Sequence, residues 1–424
     1  MCLDDLLSSD HRARQVWAYI ESCDLTALYD GIRAVEGGSG RAAIDPAILM
    51  ALWLYATLEG VGSARLLERE CRSDAAYRWI CGGVGVNYHT LADFRVGSGA
   101  LLDELLTRSM AALVHAKIVD LSCLGVDGVR VRASAGASSF RSQSRLSQLH
   151  DLAGKKVEAL KQELSTDPAG GSRRATERKL REAAERQQRI EAAQKAAEAI
   201  EAERAQEAVK QRRRKPKKGK PTRGSTTDAQ ARVMAMADGG YRPAYNLQFK
   251  TDPKTGCVVG IEATNKASDS GQLGTAADEI ERRYGVQPKR VLADGGYANK
   301  HDIEALHARG IGVFCPLRKK DKPVCAASDP AAPDTDGRAK PKPKPKPKLK
   351  EKPGVVAWHE RMGQEDSAAI YAERIVCERP HADVRNRGLY RFLVRGIEKV
   401  KAVALWHVTA YNFLQIQRLM PQAA

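Results

Sequence analysis

The sequence predicts a mixed α/β protein, a sheet with flanking helices, preceded by an all-α N-terminal domain and interrupted by a helical-hairpin insert. Three observations carry this. Residues 1–118 show helical periodicity and helix caps. From residue 119, short β-branched runs alternate with helical stretches, the pattern of a mixed sheet with helices packed on it. Residues about 140–228 hold a long Ala/Glu/Arg-rich helical pattern with one Pro/Gly break.

The elements follow in order. Asp45-Pro46 starts a helix, with Asp as N-cap and Pro at the first helical position, and Ile48–Leu58 continues it to Gly60. Ser63–Cys71 reads as a second helix, Thr90-Leu-Ala-Asp93 as a cap with an acid three residues on, and Leu101–Ile118 as a further helix. Leu121–Arg132 is the first strand. Leu146, Leu149, Ala153, Val157, Leu160 and Leu164 then step by three or four along a helix that Asp167–Ser172 breaks. A second helix runs from about Arg173 to Lys210, and the two suggest an antiparallel hairpin.

Tyr245–Lys250 and Cys257–Ala263 form a β-hairpin around the turn Thr251–Gly256. A helix near Gly271–Tyr284, a strand over Lys289–Asp294, a helix over His301–Gly310 and a strand over Ile311–Cys315 complete the pattern. Residues 325–354 read as a low-complexity linker, and Tyr371–Met420 as mainly helical.

At 424 residues and 43% apolar composition, the chain can build two or three units and is not wholly disordered. Nine scattered cysteines without a C-x-x-C pair argue against a disulfide framework and a cysteine zinc site. The longest apolar run, Ile48–Ala56, falls well short of the roughly 20 residues of a membrane span. The start lacks the basic region of a signal peptide, so a cytoplasmic setting is expected.

The formal net charge of +17 points to a polyanion. Most of it is local. Residues 210–223 hold nine basic residues and no acid, and 340–352 hold seven Lys and one Glu. Both runs are Pro-bearing and read as solvated, extended tethers for non-specific phosphate contact. The N-terminal 118 residues carry 11 basic residues against 15 acids.

Three acids stand out. Asp127 lies inside the first strand, in Gly-Val-Asp-Gly-Val, where Asp is disfavoured. Asp294 ends a later strand and leads into Gly295-Gly296, which exposes a carboxylate at the edge of the sheet where ligands bind. Glu378 follows Tyr371 and Arg374 at offsets that, with Arg385, put all four on one face of a continuous α-helix. Pro380 complicates that helix; if it starts the helix instead, Tyr371 and Arg374 come from a preceding turn. Between Arg374 and Lys401 there are eight basic residues and three acids. Three hard carboxylates suit two Mg²⁺ or Mn²⁺ ions and in-line phosphoryl displacement. No phosphate-binding G-x-x-x-x-G-K-[ST] loop is present, so ATP is not implied.

Asp127, Asp294 and Glu378, in this order, resemble the DDE triad of bacterial insertion-sequence transposases. The stretch around Glu378 is similar to the Y-x2-R-x3-E-x6-K signature of the Tn5-related group, with Arg385 in place of the final Lys. Residues 43–56 with His89–Arg95 resemble the N-terminal helical domain of these enzymes, and Tyr241–Gln248 and Leu292–Tyr297 match further blocks. The resemblance implies a ribonuclease-H-like core in which Asp127, Asp294 and Glu378 bind divalent metal, Mg²⁺ or Mn²⁺. It implies that Tyr371, Arg374 and Arg385 position double-stranded DNA, and that a homodimer holds paired transposon ends. It divides the chain into an N-terminal DNA-binding domain (1–118), a first part of the core (119–324), the linker (325–354) and a second part (355–424). A metal-dependent nuclease without strand transfer, and a non-catalytic DNA-binding descendant, are the competing readings.

Overall fold

The computed structural model describes residues 3–32, 43–166, 173–210, 221–317 and 352–420. Among the described residues, seven α-helices come first: α1 (Arg12–Glu21), α2 (Thr26–Asp30), α3 (Pro46–Leu58), α4 (Ala64–Ser73), α5 (Ala75–Cys81), α6 (Tyr88–Gly97) and α7 (Gly99–His115). The expected start of α3 is present: Asp45 accepts from the Ala47 N–H at 2.8 Å. The cap expected at Thr90 lies three residues earlier. Asn87 accepts the Thr90 N–H at 3.0 Å, so Thr90 is inside α6.

Strand β1 (Cys123–Arg132) follows, then β2 (Phe140–Ser142), the hairpin helices α8 (Gln143–Thr166) and α9 (Arg173–Lys210), β3 (Arg223–Ser225), β4 (Arg232–Ala235), β5 (Tyr241–Thr251) and β6 (Val258–Thr264). Next come α10 (Leu273–Tyr284), β7 (Arg290–Ala293), α11 (Lys300–Ala308) and β8 (Gly312–Phe314). The chain ends with α12 (Pro353–Met362), α13 (Ser367–Ala372), α14 (Arg379–Asn386) and α15 (Ile397–Leu419). The short strands β2, β3 and β4 have no signal in the sequence pattern. The linker expected to reach 354 ends sooner, because Pro353 supplies the first turn of α12. The hairpin turn at 167–172 and the bulk of both basic runs lie outside the described residues.

The main sheet is mixed. β1 pairs antiparallel with β5 and parallel with β7, and β7 pairs parallel with β8. The other edge of β5 is shared by β4, near its start, and β6, near its end. The order β6-β5-β1-β7-β8 puts β1 in the middle. A curled mixed sheet flanked by many helices is compatible with a ribonuclease-H-like transposase.

Helix α3 is buried on nearly every side, and so is α15 from Val400 to Phe413. A helix that is apolar all round belongs in an interior. The two meet at Trp53 and Trp406, whose ring centroids lie 6.5 Å apart. The indole N–H of Trp406 donates to the Arg95 carbonyl at 3.0 Å. On the sheet side, Asn412 of α15 accepts from the Val258 N–H at 2.9 Å and donates to its carbonyl at 2.8 Å. The N-terminal helices, α15 and the sheet thus share one apolar core. The hairpin has its own small core of Leu146, Ala153, Ile190, Ala193 and Ala197. No helix of the described residues is long and apolar enough to cross a membrane.

A buried ionic chain ties these layers together. Lys250 of β5 and Arg283 both pair with Glu279 of α10, at 2.5 and 2.8 Å, and Arg283 reaches Asp103 of α7 at 2.6 Å. Burial pulls the Glu279 pKa up, but Lys250 and Arg283 outweigh it and hold the carboxyl below its ordinary value. Removing one member of such a chain leaves uncompensated charge inside. Glu279→Ala should therefore cost roughly 3–5 kcal/mol in denaturant unfolding. A loss below about 1 kcal/mol would show that Lys250 and Arg283 find other partners.

Candidate active site

β1 passes through the centre of the sheet, and its side chains alternate between the two faces. Asp127 is opposite Phe249 on one face; Gly128 is opposite Gln248 on the other. The Asp127 side chain is only 11% exposed. Its Oδ1 accepts the Gly128 N–H at 2.9 Å, and its Oδ2 takes a 2.9 Å bond from Arg374 Nη2. Burial is the largest influence on Asp127 and raises its pKa to about 6; Arg374 and the Gly128 N–H pull it down, while Asp294 and Glu378 push it up.

Asp294 directly follows β7, beside β1. Its Oδ1 accepts the Gly296 N–H at 2.7 Å, capping a 3₁₀ turn over Gly295–Tyr297. The Asp-Gly-Gly sequence forms this turn because the short acidic side chain can satisfy the second glycine's N–H. The half-buried carboxylate lies near enough to Asp127 for the two charges to interact.

The segment carrying Glu378 is not one α-helix. α13 ends at Ala372, Glu373–Glu378 tightens into a 3₁₀ helix, and α14 starts at Arg379. Pro380 is the reason. It has no N–H to give the carbonyl four residues back and its ring crowds that carbonyl, so it fits only at a helix start. The single face that a continuous helix would have given Tyr371, Arg374, Glu378 and Arg385 is corrected, and the alternative, a helix started by Pro380 with Tyr371 and Arg374 on the segment before it, is what the structure has. Arg374 still spans from Asp127 to Glu378, whose Oε1 lies 3.4 Å from Nη1. The two partners differ in environment: the Glu378 side chain is 61% exposed.

Tyr371 is half-buried against Cys123, Leu292 and Phe314. Burial raises its pKa, and Asp294 and Asp127 add to the shift. Arg385 is exposed on α14. Of the neighbouring cations, Arg387 is committed to Asp383 at 2.8 Å and to the Leu58 carbonyl, and Lys401 lies 3.4 Å from Glu262. The local excess of positive charge read from the sequence is thus partly spent on packing.

Two residues at the site carry no sequence signal of their own. His381 is buried with its ring edge-on to Phe249, and Nδ1 lies 3.7 Å from Asp127 Oδ2. Burial, with Arg385 and Arg374 nearby, lowers its pKa to about 3, so it is neutral at pH 7 and forms no ion pair. Cys377 presses its Sγ against Gly125 so closely that a Cβ there would overlap it. Gly-Val-Asp-Gly-Val therefore has a glycine for each face, and this spacing was the available clue.

Among the described residues, no three His, Cys, Asp or Glu side chains gather tightly enough to close around a metal ion. The donor set nevertheless fits a hard cation. Two carboxylates converge on one guanidinium, and the third is within electrostatic reach of both Asp127 and Arg374.

The sheet and this carboxylate cluster define an α/β protein with an acidic site at the centre of a mixed sheet. The chain belongs to the insertion-sequence DDE transposases. A transposase DDE domain matches residues 212–413, which include Asp294 and Glu378, and a transposase domain (DUF772) matches residues 1–96. No curated protein and no solved structure matches the chain.

Two outcomes follow from this geometry. Gly125→Ala should destabilise the fold by roughly 1–3 kcal/mol through overpacking on Cys377. Adding Cys377→Ala should recover much of that loss, since the new methyl would then be 3.6 Å from the remaining Cβ; purely additive effects in a denaturation cycle would refute the clash. The second concerns pH. Asp127 binds its proton more tightly folded than unfolded, so between about pH 4 and pH 6 it makes stability fall as pH rises. Asp127→Asn should remove that component, seen as a smaller decline, or a rise, in unfolding free energy over this range relative to wild type. Parallel curves for the two proteins would contradict the raised value.

Proposed function

We propose that the protein cuts transposon-end DNA and joins the freed 3′-hydroxyl to target DNA by metal-dependent phosphoryl transfer. One observation carries the reading: Asp127, Asp294 and Glu378 share a single electrostatic neighbourhood, with Arg374 as the cation between two of them. The guanidinium marks a position that attracts positive charge. Asp127, Asp294 and Glu378 would hold Mg²⁺ or Mn²⁺, and two such ions would activate the attacking oxygen and stabilise the leaving one.

The chain's own groups set up the rest. Asp127 is fixed by the strand and by the Gly128 N–H, and Asp294 by its capped turn. Glu378, on an exposed segment, is the ligand with most freedom to adjust. Arg374, Arg385 and Tyr371 position the phosphate backbone: the guanidinium forks match phosphate oxygens, and Tyr371 borders the carboxylates from α13. The spacing Tyr371-Arg374-Glu378 favours the Tn5-related group. A homodimer on paired double-stranded ends accompanies this reading.

Purified Asp127→Ala, Asp294→Ala and Glu378→Ala should each lose cleavage by more than about a hundredfold, the scale of single groups that stabilise developing charge. DNA affinity in gel-shift titrations should change little. Strand-transfer assays with end-bearing DNA and Mg²⁺ complete the test. Cleavage near wild type in any variant removes that residue from the site. DNA that is nicked but never joined replaces the transposase reaction with a nuclease.

A further inference from the structure

On the face of β1 opposite Asp127, a second polar cluster fills the space left by Gly128. Gln248 Nε2, Asp269 Oδ1 and the Tyr297 hydroxyl would lie 2.7, 2.8 and 3.0 Å from a Cβ at that position. Only glycine admits all three so close to the backbone of the strand that carries Asp127.

The cluster is tightly bonded. Tyr297 donates its hydroxyl to Gln248 Oε1 at 2.5 Å, and Gln248 Nε2 donates to Asp269 Oδ1 at 2.9 Å. Asn246 Nδ2 reaches the same Asp269 oxygen at 2.6 Å, and Arg130 Nη2 bonds Asp269 Oδ2 at 3.0 Å. Tyr297, Gln248 and Asn246 are all buried. Tyr297 is the last residue of the 3₁₀ turn that Asp294 caps, and Asn299 just beyond it donates to Ser270 Oγ at 3.1 Å. The Asp294 turn is therefore tied to Ser270 through Asn299 and, through Gln248, both to Asp269 and to the strand beside Asp127.

We infer that Gln248, Asp269 and Tyr297 form a positioning relay that fixes the Asp294 carboxylate relative to Asp127. This rests on the reading of these two aspartates as metal ligands. The pairing of Ala293 with Val126 and the 2.8 Å bond from Cys315 Sγ to the Asp294 carbonyl fix where the turn begins; the relay holds its far end, beyond two glycines, against the other face of β1. A rigid ligand pair needs such support, because groups behind the ligands set their aim and are felt in metal affinity. Burial, with Asp269, Asp127 and Asp294 nearby, raises the Tyr297 pKa, so the hydroxyl keeps its proton and remains a donor.

The test is Mn²⁺ binding to the full chain without DNA, followed by electron paramagnetic resonance, with thermal unfolding in parallel. Tyr297→Phe keeps the buried ring and removes only the hydroxyl. It should raise the Mn²⁺ dissociation constant about 10-fold, the lower end of what supporting residues contribute, while the protein still unfolds cooperatively. Asp269→Asn should act in the same direction, and it stands in if Tyr297→Phe does not fold. Asp127→Asn is the reference. Loss of Mn²⁺ binding in Asp127→Asn beside wild-type binding in folded Tyr297→Phe and Asp269→Asn would overturn the relay alone. Wild-type binding in Asp127→Asn would instead bring down the metal reading, and the relay with it.

Discussion

The constraint on which the site depends is the burial of one carboxylate in the middle of a strand. A charge at the centre of a sheet is expensive unless its neighbours satisfy it. Asp127 is held by a backbone N–H and a guanidinium. The strand can accept them because Gly125, two residues back on the same face, lets the 373–378 segment settle directly on β1. Pro380 then starts α14 where His381 meets Phe249 and Asp127. The unusual residues on this face, Gly125, a strand-centred Asp and a Pro that starts a helix, answer one packing problem.

The same constraint explains why distant parts of the chain are needed. The segment with Glu378 sits on the sheet through Cys377, but α14 is also tied to the N-terminal helices by Arg387, which reaches the Leu58 carbonyl at the end of α3. α15 follows and is enclosed between those helices and the edge strand β6. Lys250, Glu279, Arg283 and Asp103 link strand, helix and N-terminal helix on the other side. The position of an exposed acid is thus set by a core running from Ala13 to Phe413.

Much of this was legible in the sequence because it obeys local rules. The cap at Asp45, the hairpin turn read at Thr251–Gly256, and Asp294 running into two glycines are short-range chemistry, and each occurs within a residue of where the sequence indicates. What could not be read depends on contacts between remote segments. The strands β2, β3 and β4 are only three or four residues long and exist by pairing. Asn87 took the cap from Thr90 because its side chain reaches the Thr90 N–H. His381 next to Asp127 and Asp269 behind Gly128 are separated from their partners by well over a hundred residues, and no periodicity reports that.

Of the two readings of 371–385, the continuous helix fails and the helix start at Pro380 holds, for a local reason whose consequence is not local. A straight α-helix would have given Arg374 and Glu378 equivalent settings on one face. The 3₁₀ segment instead leaves Arg374 mostly buried and Glu378 mostly exposed, with side chains 14% and 61% accessible. The two ends of the guanidinium bridge are therefore unequal. An exposed pair contributes about 0–1 kcal/mol, so the link to Glu378 costs little to break. The link to Asp127 cannot be given up so easily, because an unpaired buried carboxylate must be satisfied by something else of positive charge. Asp127 and Asp294 are the fixed part of the cluster, on strand and capped turn; Glu378 is the part that can be re-aimed. A cation or a phosphate that changes what Arg374 faces would act first on Glu378, and the fold makes that the least costly adjustment available.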